Sequence, residues 1–204
     1  MKKWLLCFFV FLLFITYTTA QVRFGLKAGL NSSNLYGDDA GSSDSKLGFI
    51  GGCFLQYQSN KNFALQPELS YSMKGAKTQV GYVNFTLAYD YIEFPLLFKF
   101  ILPIDNNPKI ISSFFAGPFI ALNAKSKIIT NVAGITNEFL IEKTATAEYG
   151  VQFGGSIGLN IGKNEFGLDI RYVLGLSTID KSINSYDIRN SVLNFNVYFV
   201  FENR

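Results

Sequence analysis

YGVQFGGSIGLNIGKNEFGLDIRYVLGL, residues 149–176, is the stretch whose reading decides the fold. Taken every second residue, Tyr149, Val151, Phe153, Gly155, Ile157, Leu159 and Ile161 share one face, all apolar or glycine. Gly150, Gln152, Gly154, Ser156, Gly158 and Asn160 share the other, all small or polar. After Gly162-Lys163-Asn164 the alternation restarts in the opposite phase. Phe166, Leu168, Ile170, Tyr172, Leu174 and Leu176 now stand against Gly167, Asp169, Arg171, Val173 and Gly175. A period of two means strand, and a short Gly/Asn turn between two such runs means an antiparallel hairpin. Each run is about as long as a tilted strand needs to cross a bilayer, roughly 9–11 residues. The pattern predicts a transmembrane hairpin whose apolar face meets lipid.

Working outward, the same alternation recurs in six more segments, at 22–31, 46–57, 63–74, 89–100, 109–123 and 191–201. In 63–74 the outward set is Phe63, Leu65, Pro67, Leu69, Tyr71 and Met73. In 191–201 it is Leu193, Phe195, Val197, Phe199 and Phe201. Segment 109–123 is ambiguous, with the even set (Phe114, Ala116, Pro118, Ile120, Leu122) slightly the more lipid-like. Pro95 falls inside 89–100, where a missing donor predicts a bulge. The connections at 32–45, 75–88, 124–148 and 177–190 are long, and those at 58–62, 101–108 and 162–164 are short. Residues 78–85 and 127–142 read as hairpins that prolong the strands. In an up-and-down antiparallel order all the long connections lie at one end. The expectation is an all-β, eight-stranded antiparallel transmembrane β-barrel, with long extracellular loops and short periplasmic turns. Tyr57 and Phe63 then form an aromatic girdle at one rim, and Tyr71, Tyr89 and Tyr149 at the other.

Composition agrees. Only 16% of the residues are charged, where about 25% is usual in soluble proteins, and aromatics also make up 16%. Lys2 and Lys3, the apolar run 4–15 and Thr18-Thr19-Ala20 predict a cleaved signal peptide over residues 1–20, with residues 21–204 as one barrel domain. Loss of Lys2 and Lys3 takes the net charge from +3 to +1, which excludes a nucleic-acid footprint. Cys53 is then the only cysteine, so an internal disulfide is impossible; it lies on an outward face as a small hydrophobe.

The inward charges are the candidate site. Lys27, Glu68, Glu93, Asp169 and Arg171 count to similar middle depths of their strands. The interior of an eight-stranded barrel is only wide enough for side chains, so these charges should pair across it as a structural plug. The alternatives are an ion pathway or a Glu68/Glu93 acid–base pair. The chain has no histidine, which removes the usual Ser/His and Cys/His chemistry and the commonest transition-metal ligand. Asp38, Asp39 and Asp44 are the weak candidates for calcium, but their spacing has no calcium-loop order. The residues call for no cofactor and no metal.

RFGLKAGLN, LQPELSYSMKGAK, YIEFPLLFKF, FFAGPFIAL and GLDIRYVLGLS, in this order behind a signal peptide, resemble the PorT-type outer-membrane β-barrel domain family. The resemblance covers nearly all of residues 21–204. It implies an eight-stranded barrel in the bacterial outer membrane, in a broad family whose best-known type is linked to protein secretion. No catalytic residue transfers. The function expected is non-enzymatic: a barrel with a side-chain-filled lumen, embedded in outer-membrane lipid. It would act through loops or rim on a protein partner, in envelope structure, adhesion or a secretion-accessory role. Alternatives are a narrow pore for ions or small solutes, a soluble lipocalin-like carrier, whose lumen would be apolar and exterior polar, and an outer-membrane hydrolase.

Overall fold

The structure is a computed structural model that describes residues 21–103, 109–132, 135–141, 145–179 and 186–201. The expected signal peptide, residues 104–108 and residues 180–185 lie outside the described residues. The strands are β1 (Gln21–Tyr36), β2 (Asp44–Gln58), β3 (Phe63–Val80), β4 (Val83–Pro103), β5 (Ile110–Val132), β6 (Ile135–Leu140), β7 (Ala147–Ile161), β8 (Asn164–Gly175) and β9 (Arg189–Phe201). Every neighbouring pair is antiparallel. β1 pairs with both β2 and β9, and β4 pairs with β5, so eight strands close on themselves. β6 is outside that ring and, among the described residues, pairs only with the far end of β5.

The wall is inside-out relative to a soluble protein. On β8 the outward Leu168 and Ile170 are 54% and 47% exposed, while the inward Asp169 and Arg171 are buried. Phe63, Leu69, Phe195 and Val197 are likewise exposed, and Leu65, Tyr172, Leu174 and Phe199 are half-buried among their outward neighbours. The interior holds Lys, Arg, Glu, Asn, Gln and Ser side chains, the reverse of a lipocalin-like lumen. In β5 the even set faces out.

Two local expectations are corrected. The ladder passes Pro95 in constant register on both sides (Pro67↔Leu96 and Ser70↔Glu93; Pro95↔Phe119 and Phe98↔Ala116). A proline removes one donor toward one neighbour, which the wall absorbs. The irregularity lies instead between Asp90 and Tyr91, where β5 carries the extra residue Ala124. Tyr89 belongs to no girdle; it shares the inward face with Tyr91 and is buried. The expected hairpins at 78–85 and 127–142 are present, with β3 and β4 paired up to Val80↔Val83 and β5 and β6 up to Val132↔Ile135, and β1 also runs on into the first long connection as far as Tyr36. At the opposite end the chain turns within 59–62 and through Gly162-Lys163, where Gly162 takes φ +64°, the left-handed region that glycine tolerates best.

Candidate functional site: the lumen

From the short-turn end upward the lumen is filled in levels. Lowest, Arg23 Nη1 meets Glu165 Oε2 at 3.1 Å and its Nη2 donates to Gln56 at 2.8 Å. The Tyr198 hydroxyl donates to the other Glu165 oxygen at 2.8 Å, and Lys99 Nζ lies 5.3 Å from the centre of the Tyr198 ring.

The middle level is a four-residue ion cluster. Glu68 on β3 accepts from Lys27 on β1 and, at 2.9 Å, from Arg171 Nη1 on β8. Asp169 accepts from Arg171 in a two-pronged contact and from Asn196 Nδ2 at 2.7 Å. Gln66 donates to the remaining Glu68 oxygen at 2.8 Å. The Arg171 guanidinium lies 4.9 Å from the Phe115 ring centre. A planar fork with several donors suits this position, because it can bond two carboxylates and stack on a ring together.

Above it, Lys74 on β3 sits between Glu93 on β4 at 2.8 Å and Glu148 on β7 at 3.4 Å. Its ammonium is 4.9 Å from the ring centres of both Tyr91 and Phe119. Asn190 donates to Glu148 at 2.9 Å. Gln152 links the two levels, donating to Glu93 at 3.5 Å and accepting from Arg171 at 3.4 Å. Over this level closes an apolar stopper in which Leu35, Tyr89, Tyr91, Phe119, Val173, Ile179 and Val192 pack together. The connection after β8 is tied down by Ile179, whose carbonyl accepts from Ala145 N–H at 2.9 Å.

Of the five residues singled out by sequence, four (Lys27, Glu68, Asp169 and Arg171) meet directly. Glu93 does not: it is one level higher, on Lys74. Counting from the rim misplaces it because barrel strands tilt and stagger. Glu68 and Glu93 each have their own cation, which is not the geometry of an acid–base pair. The sequence reading left Lys74, Glu148, Arg23, Glu165 and Lys99 out of the network, although parity put Arg23, Lys74 and Lys99 on inward faces. With them the described lumen holds five cations (Arg23, Lys27, Lys74, Lys99, Arg171) and five anions (Glu68, Glu93, Glu148, Glu165, Asp169). The inward parity of each strand was the available signal. Asp39 accepts from the backbone of Asp187 at 2.8 Å; Asp38 and Asp44 are exposed. Among the described residues no group of acidic, Cys or His side chains is placed to hold a metal ion.

A closed ring of strands with an apolar outer wall and a charged, side-chain-filled lumen defines a transmembrane β-barrel. Over residues 18–181 the sequence matches the outer membrane protein beta-barrel domain, and the chain belongs to that family. It is an outer-membrane protein. No curated protein matches it. Among solved structures, it is similar to the outer membrane protein OprG from Pseudomonas aeruginosa, with TM-score 0.55 and 10% identity over 92% of this chain and 97% of that one. It is also similar to Ail, the attachment invasion locus protein of Yersinia pestis (TM-score 0.43, 13% identity, 89% of this chain and 99% of that one). A third is Neisserial surface protein A (TM-score 0.47, 12% identity, 86% and 95%). At 10% identity the likeness to OprG is one of fold alone.

Proposed function

We propose that this is a non-enzymatic, non-conducting barrel of the PorT type, exported by cleavage of residues 1–20, whose work is done by the structure at its long-loop end. One observation carries the reading. The lumen is occupied at every described level by paired charges and is stoppered by Tyr91, Phe119, Val173, Ile179 and Val192 at that same end. Water needs a continuous polar path to carry ions, and here large side chains stand in it. What remains available to a partner is the sheet that β3, β4, β5 and β6 raise beyond the wall. β5 alone has 23 residues, about twice the roughly 9–11 that a tilted strand needs to cross the bilayer. The long-loop end faces outward from the cell, and the function is attachment or a secretion-accessory contact made there. The absence of histidine and the separate pairing of each lumen carboxylate support a role without catalysis. The test places a cysteine at the β3–β4 turn, Tyr82→Cys in a Cys53→Ala background, and treats intact cells with a membrane-impermeant maleimide. Labelling of intact cells is expected; labelling only after the outer membrane is opened would overturn the orientation and the role with it.

A further inference from the structure

Among the described residues the raised sheet has a short edge on β3, where the ladder with β2 stops at Asp44↔Lys77, and a longer open edge on β6. β5 pairs with β7 up to Leu122↔Ala147 and with β6 from Lys127↔Leu140 to Val132↔Ile135. On its other side β6 has no neighbour among the described residues, and all six of its residues are exposed. Which backbone groups face the open side follows from one hydrogen bond. Ile141 N–H donates to Ser126 at 3.0 Å, continuing the β5–β6 register. In an antiparallel ladder bonded pairs recur at every second residue. Ile135, Asn137 and Phe139 therefore bond to β5, and Thr136, Glu138 and Leu140 turn their N–H and C=O groups outward.

Edge strands usually carry a device that prevents pairing, such as a proline, an outward lysine or a bulge. The sequence ITNEFL has none. Its one charge, Glu138, is held on the sheet face by Lys127 at 3.1 Å. On the opposite face Ile135 and Phe139 are 68% and 60% exposed and continue the apolar surface of Val132. An added strand would satisfy the outward backbone groups, and its alternate residues would cover that surface.

We infer that β6 is a docking edge for an extended segment of another polypeptide, one with apolar residues at every second position, which adds to the sheet as a further strand. A second copy in the same membrane fits poorly. Two barrels in one membrane run β6 in the same direction, which forbids antiparallel pairing. A two-fold axis along the membrane normal would set the same outward-bonding residues at equal height, whereas a parallel ladder needs them staggered. The inference rests on the reading above only for where the partner comes from, the outside of the cell.

The experiment uses the full barrel in lipid nanodiscs. The probe is a short fluorescein-labelled peptide alternating valine and threonine between terminal lysines. Saturable anisotropy is expected for the parent, with binding weakened about tenfold or more (roughly 1.4 kcal/mol) by Thr136→Pro and by Glu138→Pro. Each proline removes an outward N–H and leaves the β5-facing ones in place; Glu138→Gln should bind as the parent does. Hydrogen exchange on the parent needs no variant: peptide should slow the amides of Thr136, Glu138 and Leu140. No saturable binding, equal binding by the folded proline variants, or unchanged exchange at these amides would overturn the inference. Edge-dependent association of the parent without peptide would overturn it too, in favour of a second copy. Nanodisc binding is blind to which side of the membrane the edge faces, so failure here and failure of the maleimide test are separate results.

Discussion

Arg171 Nη1 lies 2.9 Å from Glu68 Oε2, and this contact joins β8 to β3, two strands that share no ladder. Backbone pairing holds each strand to its neighbours; the contact between these two side chains holds opposite walls together through the lumen. Both groups are buried, so each depends on the other for the solvation that water would otherwise supply.

Arg171→Ala should cost about 3–5 kcal/mol, because it leaves buried Asp169 without its cation and Glu68 with Lys27 alone. The melting temperature in detergent would fall. Adding Asp169→Asn should recover part of the loss, since Asp169 is the carboxylate whose salt-bridge cation is Arg171, whereas Glu68 keeps Lys27. Adding Glu93→Ala should recover none, because the cation on Glu93 is Lys74 at 2.8 Å. Rescue by Glu93→Ala and not by Asp169→Asn would reverse the assignment of levels.

Lys74→Met should be similarly costly, about 3–5 kcal/mol, by leaving Glu93 and Glu148 facing each other without a cation. Glu148→Gln in the same chain should restore part of the stability. A double variant no better than Lys74→Met alone would show that the two carboxylates are not coupled through this lysine.

Ile170→Arg, near the middle of the outer face, should cost about 2–4 kcal/mol in folding into lipid, and Ser42→Arg in the exposed first loop close to nothing. Urea titration of the barrel in lipid vesicles measures both. Equal tolerance would mean that the apolar wall is not the lipid contact.

Two adjacent glycines should respond in opposite ways. A Cβ at Gly154 would come within 2.2 Å of the Ile170 carbonyl oxygen, so Gly154→Ala should destabilise and shift β7 against β8. A Cβ at Gly155 would meet nothing closer than 3.4 Å, so Gly155→Ala should be neutral or stabilise by up to about 0.5–1 kcal/mol through reduced chain entropy. Thermal unfolding of the two variants side by side checks the contrast.

Most of the wall was legible from sequence because a strand between lipid and a charged lumen keeps a strict period of two. Leu168, Ile170, Asp169 and Arg171 alternate as residue types in the way they alternate in space. Heights were not legible. Glu93 counts to the depth of Glu68 but sits above it, since shear displaces each strand along its neighbour by an amount that no single strand encodes. Glu148 was assigned to a loop because the chain before it has the polarity of one; β7 begins at Ala147 and carries Glu148 inward. Tyr89 shows the opposite failure: its own parity pointed inward, and its place near a strand end suggested a girdle instead.

The central claim is that the lumen is closed, and single-channel recording tests it most directly. The purified wild-type barrel, inserted in planar lipid bilayers under an applied voltage, should show no steady current steps. Reproducible, stable conductance steps from the wild-type protein would contradict the account, because ions would then have a path past Arg171, Lys74 and the stopper of Tyr91, Phe119 and Ile179.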